Sequence, residues 1–453
     1  MFLPPQPVHF TGIGGIGMSG LAEILLQSGF PVSGSDVRLS PVTGRLAGLG
    51  ARIVQGHKAE NLGAAKVLVV TSAVSASNPE VAEARRRGLP VVPRGELLAE
   101  LMRPKIGIAI AGSHGKTSTT SMVATMLMEA GLDPTVVIGG RLPSIGSSAR
   151  LGSSDYLVAE SDESDGSFLL LAPVYEIITN IDREHLDYYS GIEPIRRSFT
   201  EFANRVPFYG AVVACVDDAN VREILPRIRR RVITYGRSAG ADFSVTDEQA
   251  GRFSGEFTLH RHGIPLGRLR IQVPGEHNIL NATAAIALGM ELGLTVDEAT
   301  GGVEAYRGVD RRFQLRGEAA GVAVIDDYGH HPAEIAATLK AARACGFHRI
   351  HVLFQPHRYT RTQALMDEFA ACFGAADSVF ILDIYAASEA PIEGVTGAAL
   401  AARIPGAVYA GSLENGAVLA VNAARAGDAI LTQGAGSVSQ AGDAILAALK
   451  ERG

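Results

Sequence analysis

The sequence predicts an α/β protein of three domains. Three observations predict it. The chain has 453 residues, about three times a typical domain of ~150 and too many for one compact core. Short β-like runs alternate with amphipathic helical stretches almost throughout, the pattern of mostly parallel sheets. Two glycine-rich loops, starting at Gly12 and Gly112, each follow an apolar strand and open a helix.

Composition narrows the class. Hydrophobic residues make up 47% and charged residues 19%, which excludes a disordered chain. Apolar stretches such as Val67 to Val70 and Ile106 to Ala111 fall far short of the ~20 residues that span a bilayer, so no membrane insertion is expected. The opening MFLPPQPVHF has no apolar signal core. Cys215, Cys345 and Cys372 are too few and too scattered for a disulfide framework or a zinc site, so a cytoplasmic location is expected. A net charge of −6 offers no electrostatic footprint for nucleic acid. The 52 glycines imply many tight turns and close backbone approaches, which suits several ligand-cradling loops.

The first block, residues 1–104, begins with the strand and loop VHFTGIGGIGMSG and continues through FPVSGSD, KVLVVTSA and VVPRGELL. Gly12, Gly14 and Gly17 form a G-x-G-x-x-G pattern straight after a strand, and Asp36 closes the next strand. That spacing predicts a Rossmann-like domain. The glycines let the backbone approach a diphosphate at a helix N-terminus, and the acid accepts from a ribose hydroxyl. NAD and a UDP moiety satisfy this site equally, and a structural glycine turn is the plain alternative.

The second block, residues 105–311, opens with KIGIAIA and Gly112-Ser113-His114-Gly115-Lys116-Thr117. This is a shortened P-loop, with Ile110 where the full pattern has glycine. Backbone N–H groups wrap phosphates, Lys116 neutralises them and the Thr117 hydroxyl meets Mg²⁺, so a P-loop ATPase-type domain binding ATP is expected. Ser118 continues the loop into the helix. Glu160 ends the strand DYLVAE, where a carboxylate suits Mg²⁺. The rest of Glu160 to Asp165 reads mostly as a solvated acidic loop. Asp182, His185 and Asp187 follow EIITNI, which favours a metal or phosphate role for His185. An antiparallel patch is expected across ADFSVTD and RFSGEFTLHRHGIPLGRLRIQVPG, so the sheet is mixed. Asn278 and Asn281 share one helix face and suit an adenine edge; capping and a polar core contact are the plain alternatives.

The third block, residues 312–453, carries the strands GVAVIDDY, RIHVLFQP, SVFILDI and DAILTQG between alanine-rich helices, a second Rossmann-like α/β domain. Arg311 and Arg312 stand at its seam, where a guanidinium clamps phosphate or simply faces solvent. Arg358 and Arg361 lie three apart after RIHVLFQ and suit a small carboxylate.

Eight motifs then fall in one order: G-I-G-G-I-G-M-S-G, G-S-H-G-K-T, E-S-D-E-S-D, T-N-I-D-R-E-H-L-D, H-N-I-L-N, R-R-F-Q, D-D-Y-G-H-H-P and Q-P-H-R-Y-T-R-T. Together they resemble the Mur ligases of peptidoglycan synthesis, from Val8 to the GAGS segment at Gly434 to Ser437. The likeness is nearest to the branch that joins L-alanine to UDP-N-acetylmuramate. It implies three domains, binding the UDP sugar, ATP and the amino acid in turn, in a monomer or homodimer. By the same resemblance, Gly12, Gly14, Gly15, Gly17, Met18, Ser19, Asp36, Thr71 and Ser72 meet the UDP part. Gly112 to Ser118 hold ATP, with Lys116 on its phosphates. Thr117 and Glu160 hold one Mg²⁺, and His185 helps hold a second. Asn278 and Asn281 meet adenine, Arg312 the phosphates and Asp327 the ribose. His330, Arg358 and Arg361 recognise alanine. Lys116, Glu160, His185 and Arg312 form the implied catalytic set.

Departures from the family pattern are few. Ser113 stands where threonine is usual, and Glu184 where aspartate is. No lysine occurs between Asp187 and Val216, so the carbamoylated lysine of sister ligases is absent. The first loop differs from the G-I-C-G-T of the tripeptide-recycling ligase, the nearest alternative. An NAD-dependent oxidoreductase, the alternative from another class, leaves Lys116 and the HHP and PHRYTR segments unexplained.

Overall fold

The computed structural model describes residues 5–185, 188–387 and 389–452. The chain packs as two compact units. One comprises Met1–Thr246, Thr258–Leu269 and Leu280–Tyr306; the other comprises Asp247–Phe257, Arg270–Ile279 and Arg307–Gly453.

The first unit starts with β1 (Val8–Thr11), α1 (Ile16–Gln27), β2 (Val32–Asp36), α2 (Pro41–Gly48), β3 (Arg52–Gln55), β4 (Val67–Val70), α3 (Pro79–Arg86), β5 (Val91–Pro93) and α4 (Arg94–Met102). The strand order is β3-β2-β1-β4-β5, with every pairing parallel. All four residues of β1 are buried, as a strand covered on both faces requires. Local signals start the helices: Ser40 and Thr43 form a capping box on α2, and Asn78 caps α3 ahead of Pro79. The order reverses between β1 and β4, so their carboxyl ends open a ligand crevice.

A ten-stranded sheet follows. Its strands are β6 (Ile106–Ala111), β7 (Thr135–Leu142), β8 (Ser147–Arg150), β9 (Tyr156–Glu160), β10 (Tyr175–Ile178), β11 (Ala211–Cys215), β12 (Val232–Gly236), β13 (Phe243–Gly251), β14 (Ser254–Arg261) and β15 (Ile264–Ile271). The order is β15-β14-β13-β12-β11-β10-β6-β9-β7-β8. From β12 to β7 all pairings are parallel, and β8 is an antiparallel edge. Two-residue connections join β13 to β14 and β14 to β15, and such turns can join only antiparallel neighbours. The expected mixed sheet is present. Its helices are α5 (Lys116–Glu129), α6 (Ile192–Ala203), α7 (Ala219–Ile224), α8 (Glu276–Glu291) and α9 (Val296–Glu304).

The seam near Pro104 is not a packing boundary. α1 lies against β7 and β8, and one apolar core runs from Phe10 and Leu21 through Ala149 to Phe199 and Phe202. Buried Glu23 on α1 accepts from Arg45 Nη1 and from Ser147 Oγ, each at 2.7 Å.

The second unit holds β16 (Gln314–Ala319), β17 (Val322–Asp327), α10 (Pro332–Ala344), β18 (Ile350–Phe354), α11 (Tyr359–Ala364), α12 (Met366–Ala371), β19 (Ser378–Leu382), α13 (Gly397–Ala401), β20 (Val408–Gly411), α14 (Leu413–Ala423), β21 (Ala429–Gln433) and α15 (Ala441–Arg452). The order is β16-β17-β21-β18-β19-β20, parallel apart from β16. Alternation places Ala323 and Ile325 in one core and Val322 and Val324 in the other, so helices cover both faces. The four strands read from the sequence are all here. β16 and β20 escape that reading because each edge strand carries a weak, half-exposed pattern. Among the described residues no helix is long and apolar enough to cross a membrane.

Candidate active site

The first glycine loop is built from β1, α1 and the end of β2. Gly12 and Ile13 donate to the Ser35 carbonyl at 2.8 and 3.1 Å. Gly14 N–H donates to Asp36 Oδ2 at 2.9 Å. The N–H groups of Ile16, Gly17 and Met18 then open α1 without intrahelical partners, a site suited to a diphosphate. Thr71 follows β4 beside Gly12, with Ser72 exposed next to it. The side chains of Met18 and Ser19 do not face this cleft. Both are 2% exposed, with Met18 in the core and the Ser19 hydroxyl donating to the Ile16 carbonyl. Helical phase turns both side chains inward, and the Ser19 N–H donates to the Gly15 carbonyl at 2.8 Å.

The P-loop is stitched to the strand beside it. Ser113 N–H donates to the Asn180 carbonyl at 3.0 Å, and His114 N–H to Asn180 Oδ1 at 2.8 Å. Thr179 Oγ1 and Asn180 Nδ2 donate back to the His114 carbonyl. Gly112 has φ 136°, and a Cβ there would collide with Thr179 Oγ1, so no side chain fits. Gly115 caps α5, and Ser118 lies half-buried in its first turn. Asn281 brings its amide beside Gly115. Asn278, also on α8, donates from Nδ2 to the Pro274 carbonyl at 2.7 Å.

Lys116 Nζ donates to the Gly112 and Ser113 carbonyls and to Glu163 Oε1, the last at 2.7 Å. Burial alone would lower the lysine pKa, but the carboxylates of Glu163, Glu184 and Glu160 reverse this and raise it. Thr117 Oγ1 donates to Glu160 Oε1 at 3.1 Å, and Gly139 N–H to Glu160 Oε2 at 2.8 Å. A hydroxyl and a carboxylate held together are hard oxygen donors of the kind Mg²⁺ takes. His185 Nε2 lies 3.6 Å from Glu163 and 3.7 Å from Glu184. Burial opposes protonation of this histidine, and the two carboxylates overcome it and raise its pKa. Oxygen and nitrogen atoms of Glu163, Glu184 and His185 lie within 4.8 Å of one another, and Glu163 Oε2 is buried with no partner. This trio also fits a hard cation. Asp187, named with His185, lies outside the described residues.

The solvated-loop reading of the acidic run fails for two members. Ser161 is fully buried and Glu163 is 2% exposed, because the run turns inward beneath the P-loop. Arg94, which sequence reading missed, lies against Gly17 and pairs with Asp162 at 2.7 Å. Only its place at the start of a helix hinted at it.

In the second unit Arg311 and Arg312 separate in role. Arg311 pairs with buried Asp326 at 3.1 Å and donates to the Gly434 carbonyl, so it is structural. Arg312 lies over the Tyr328 ring and approaches Glu334 at 3.4 Å. Asp327 accepts from Phe313 N–H, Gly329 N–H, Thr338 Oγ1 and Gln433 Nε2. A ribose contact there has to compete with four internal donors. His330, His357 and Tyr385 form a ring cluster, with centroids 5.5 Å apart for the histidines and His357 stacked on Tyr385 at 5.6 Å. Arg361 Nη1 lies 3.3 Å from His357 Nδ1. Arg358 sits at φ 70°, its N–H donating to the Tyr385 carbonyl. Burial drives the His330 pKa down to about 3 and that of His357 to about 4. Sequence reading missed His357 and Tyr385 as site members. Tyr385 lies 28 positions from His357 and 55 from His330, and only tertiary packing stacks it there.

Three family models cover most of the chain. They are the Mur ligase family catalytic domain over residues 7–106, the Mur ligase middle domain over 110–289 and the Mur ligase glutamate ligase domain over 311–436. A UDP-N-acetylmuramate–L-alanine ligase of Solibacter usitatus is 61% identical, spanning 100% of this chain and 97% of the relative. One of Koribacter versatilis is 55% identical, over 100% and 99%. The solved UDP-N-acetylmuramate-alanine ligase of Thermotoga maritima matches with a TM-score of 0.84 at 28% identity, covering 99% of this chain and 100% of that one. The solved murein peptide ligase of Psychrobacter arcticus shares the fold, with a TM-score of 0.73 at 23% identity over 98% and 99%. With phosphate loops, acidic residues and ring cluster in place along all three matched regions, the chain belongs to the Mur ligase family.

Proposed function

We propose that the protein joins L-alanine to the lactyl carboxylate of UDP-N-acetylmuramate, splitting ATP to ADP and phosphate in the making of peptidoglycan precursors. The chain is a Mur-type, ATP-dependent ligase. One observation carries the finer reading: a diphosphate loop and a P-loop lie in the same packed unit, each at the carboxyl end of its first strand. The relatives named above supply the substrate pair. Residues 1–104 take the UDP sugar, residues 105–311 take ATP and residues 312–453 take the amino acid. The enzyme works in the cytoplasm as a monomer or homodimer.

The chemistry brings two anions together. A carboxylate must attack the γ-phosphate of ATP, so the residues' main task is neutralising charge and fixing alignment. Lys116 exchanges its carbonyl and Glu163 contacts for phosphate oxygens. Thr117 and Glu160 hold Mg²⁺, and His185 helps hold a second ion. When bound, Mg²⁺ supplies charge neutralisation on the phosphates. Asn278 and Asn281 meet the adenine, and Arg312 adds a guanidinium on the phosphates. The acyl phosphate and ADP result. Arg358 and Arg361 hold the alanine carboxylate, and His330, kept neutral, packs at the same cluster. The alanine amine attacks the acyl carbon, and phosphate leaves.

Phosphate release with ATP, Mg²⁺, UDP-N-acetylmuramate and a panel of amines tests this. L-Alanine should raise release well above the control without amine. Release driven by the tripeptide but not by alanine would assign the recycling reaction instead, and no release would overturn both.

A further inference from the structure

Beneath the first sheet lies a buried acid that the proposed chemistry does not use. Glu80, in the first turn of α3, is fully buried. Its Oε2 accepts from Thr11 Oγ1 at 2.6 Å and from Ser35 Oγ at 2.7 Å, and its Oε1 accepts from Asn61 Nδ2 at 2.7 Å. His9 Nε2 and His57 Nδ1 stand 3.5 and 3.7 Å from the same carboxylate. These partners belong to the segments that wall the nucleotide cleft. Thr11 precedes Gly12, and the Ser35 carbonyl receives the Gly12 and Ile13 N–H groups. Asn61 also donates to the Gly56 carbonyl, and Gly56 N–H donates to the Asp36 carbonyl. His57 comes next in the chain, at the strand-end edge that carries Asp36.

The hydrogen bonds fix a direction. With three donors converging on it, the Glu80 carboxylate is an acceptor. The single proton of the Ser35 hydroxyl therefore goes to Glu80. The same hydroxyl meets His57 Nδ1 at 2.8 Å, and it can only accept there. So His57 carries its hydrogen on Nδ1, and in the neutral ring Nε2 keeps the lone pair. The side chain is 19% exposed, enough to meet a ligand at the cleft.

We propose that Glu80 is a positioning residue of the UDP-sugar site, acting through Ser35 to hold His57 as the Nδ1–H tautomer so that Nε2 accepts from a donor on the uridine. This rests on the UDP-sugar reading of the cleft and adds to it a relay from a buried acid. The donor is either the uracil N3–H or a ribose hydroxyl, and both present the same chemistry.

The test uses the full chain labelled with ¹⁵N-histidine. In the ligand-free protein, the His57 signals should report Nδ1–H. Glu80→Gln and Ser35→Ala should each shift the ring toward Nε2–H; Ser35→Ala keeps the buried carboxylate, should Glu80→Gln fail to fold. Each variant should raise the KM for UDP-N-acetylmuramate about tenfold, the scale of one buried hydrogen bond, with the KM values for ATP and alanine little changed. As competitive inhibitors, 3-methyl-UDP and 2′-deoxy-UDP identify the donor: the one that loses affinity in wild type but not in Ser35→Ala carries it. An unchanged tautomer in both variants overturns the relay, as does an equal rise in all three KM values or equal loss of both analogues in both proteins. The tautomer is read without substrate, so it stands even if turnover shows the UDP-sugar reading to be wrong.

Discussion

Lys116 Nζ lies 2.7 Å from Glu163 Oε1, and the glutamate is 2% exposed. The P-loop lysine is thus held by an acid from the next strand's loop as well as by its own carbonyls. Removing one member of a buried ion pair strands the other. Lys116→Ala should abolish phosphate release and also destabilise the fold by about 3 kcal/mol. Lys116→Ala with Glu163→Gln should recover much of the lost melting temperature and none of the activity. Thermal scans beside the phosphate assay check this. A single variant with unchanged stability would remove the structural role of the pair.

Gly139 N–H holds the second oxygen of Glu160, and a Cβ on Gly139 would lie 2.6 Å from that oxygen. Such a contact cannot persist, so Gly139→Ala must displace the carboxylate from the position in which Gly139 N–H and Thr117 hold it. The Mg²⁺ concentration giving half-maximal release should rise by about tenfold, the loss of roughly one charge-assisted hydrogen bond. A Mg²⁺ titration of both proteins measures it, and superimposable curves would refute the link.

Glu176 sits in the middle of the ten-stranded sheet with both oxygens buried and unpartnered. Burial raises its pKa well above the 4.5 of a free carboxyl. The unfolded chain loses this proton near 4.5 while the folded chain keeps it. The folded state then binds more protons, and stability falls as pH rises from there toward the folded pKa. Glu176→Leu should raise the melting temperature, and more at pH 8 than at pH 5. An equal gain at both would show that the acid is not protonated in the fold.

His330 and His357 are held neutral, first by burial and then by the guanidiniums of Arg361 and, for His357, Arg358; Glu334 and Glu389 oppose this incompletely. Their folded pKa values of about 3 and about 4 lie below the usual assay range. kcat/KM for alanine should therefore show no break from either ring near the ordinary histidine value of about 6.5. A pH profile of the wild type against His330→Asn checks this. A break near 6.5 that vanishes in the variant would show a titrating His330.

Arg358 is placed at φ 70° by the backbone pairing of Pro356 and Arg358 with Tyr385. The strain fixes where its guanidinium begins. Arg358→Ala should raise the KM for alanine about tenfold or more, the cost of one charged hydrogen-bonding partner, and leave that for ATP unchanged. Steady-state kinetics in each substrate decide it, and an unmoved alanine KM would take Arg358 out of the amino-acid site.

Much of this was legible because its signals are local. The G-x-G-x-x-G loop, the short P-loop and the strand-end acids Asp36 and Glu160 are contiguous with the strands and helices that present them. The inward turn of Met18 and Ser19 was harder, since a motif marks the backbone and says nothing of helical phase. Glu163 hid in a run whose composition reads as solvated.

By itself, then, the sequence determined the α/β class, the mixed central sheet and both phosphate loops, since each follows from periodicity and turn chemistry within a few neighbouring residues. Only the tertiary structure decided that the first two blocks share one core across the seam at Pro104. It alone paired Lys116 with Glu163, Gly139 with Glu160, and Thr11 and Ser35 with Glu80. Those partners lie 47, 21, 69 and 45 positions apart, and strand order, which no local pattern encodes, is what brings them within hydrogen-bonding reach.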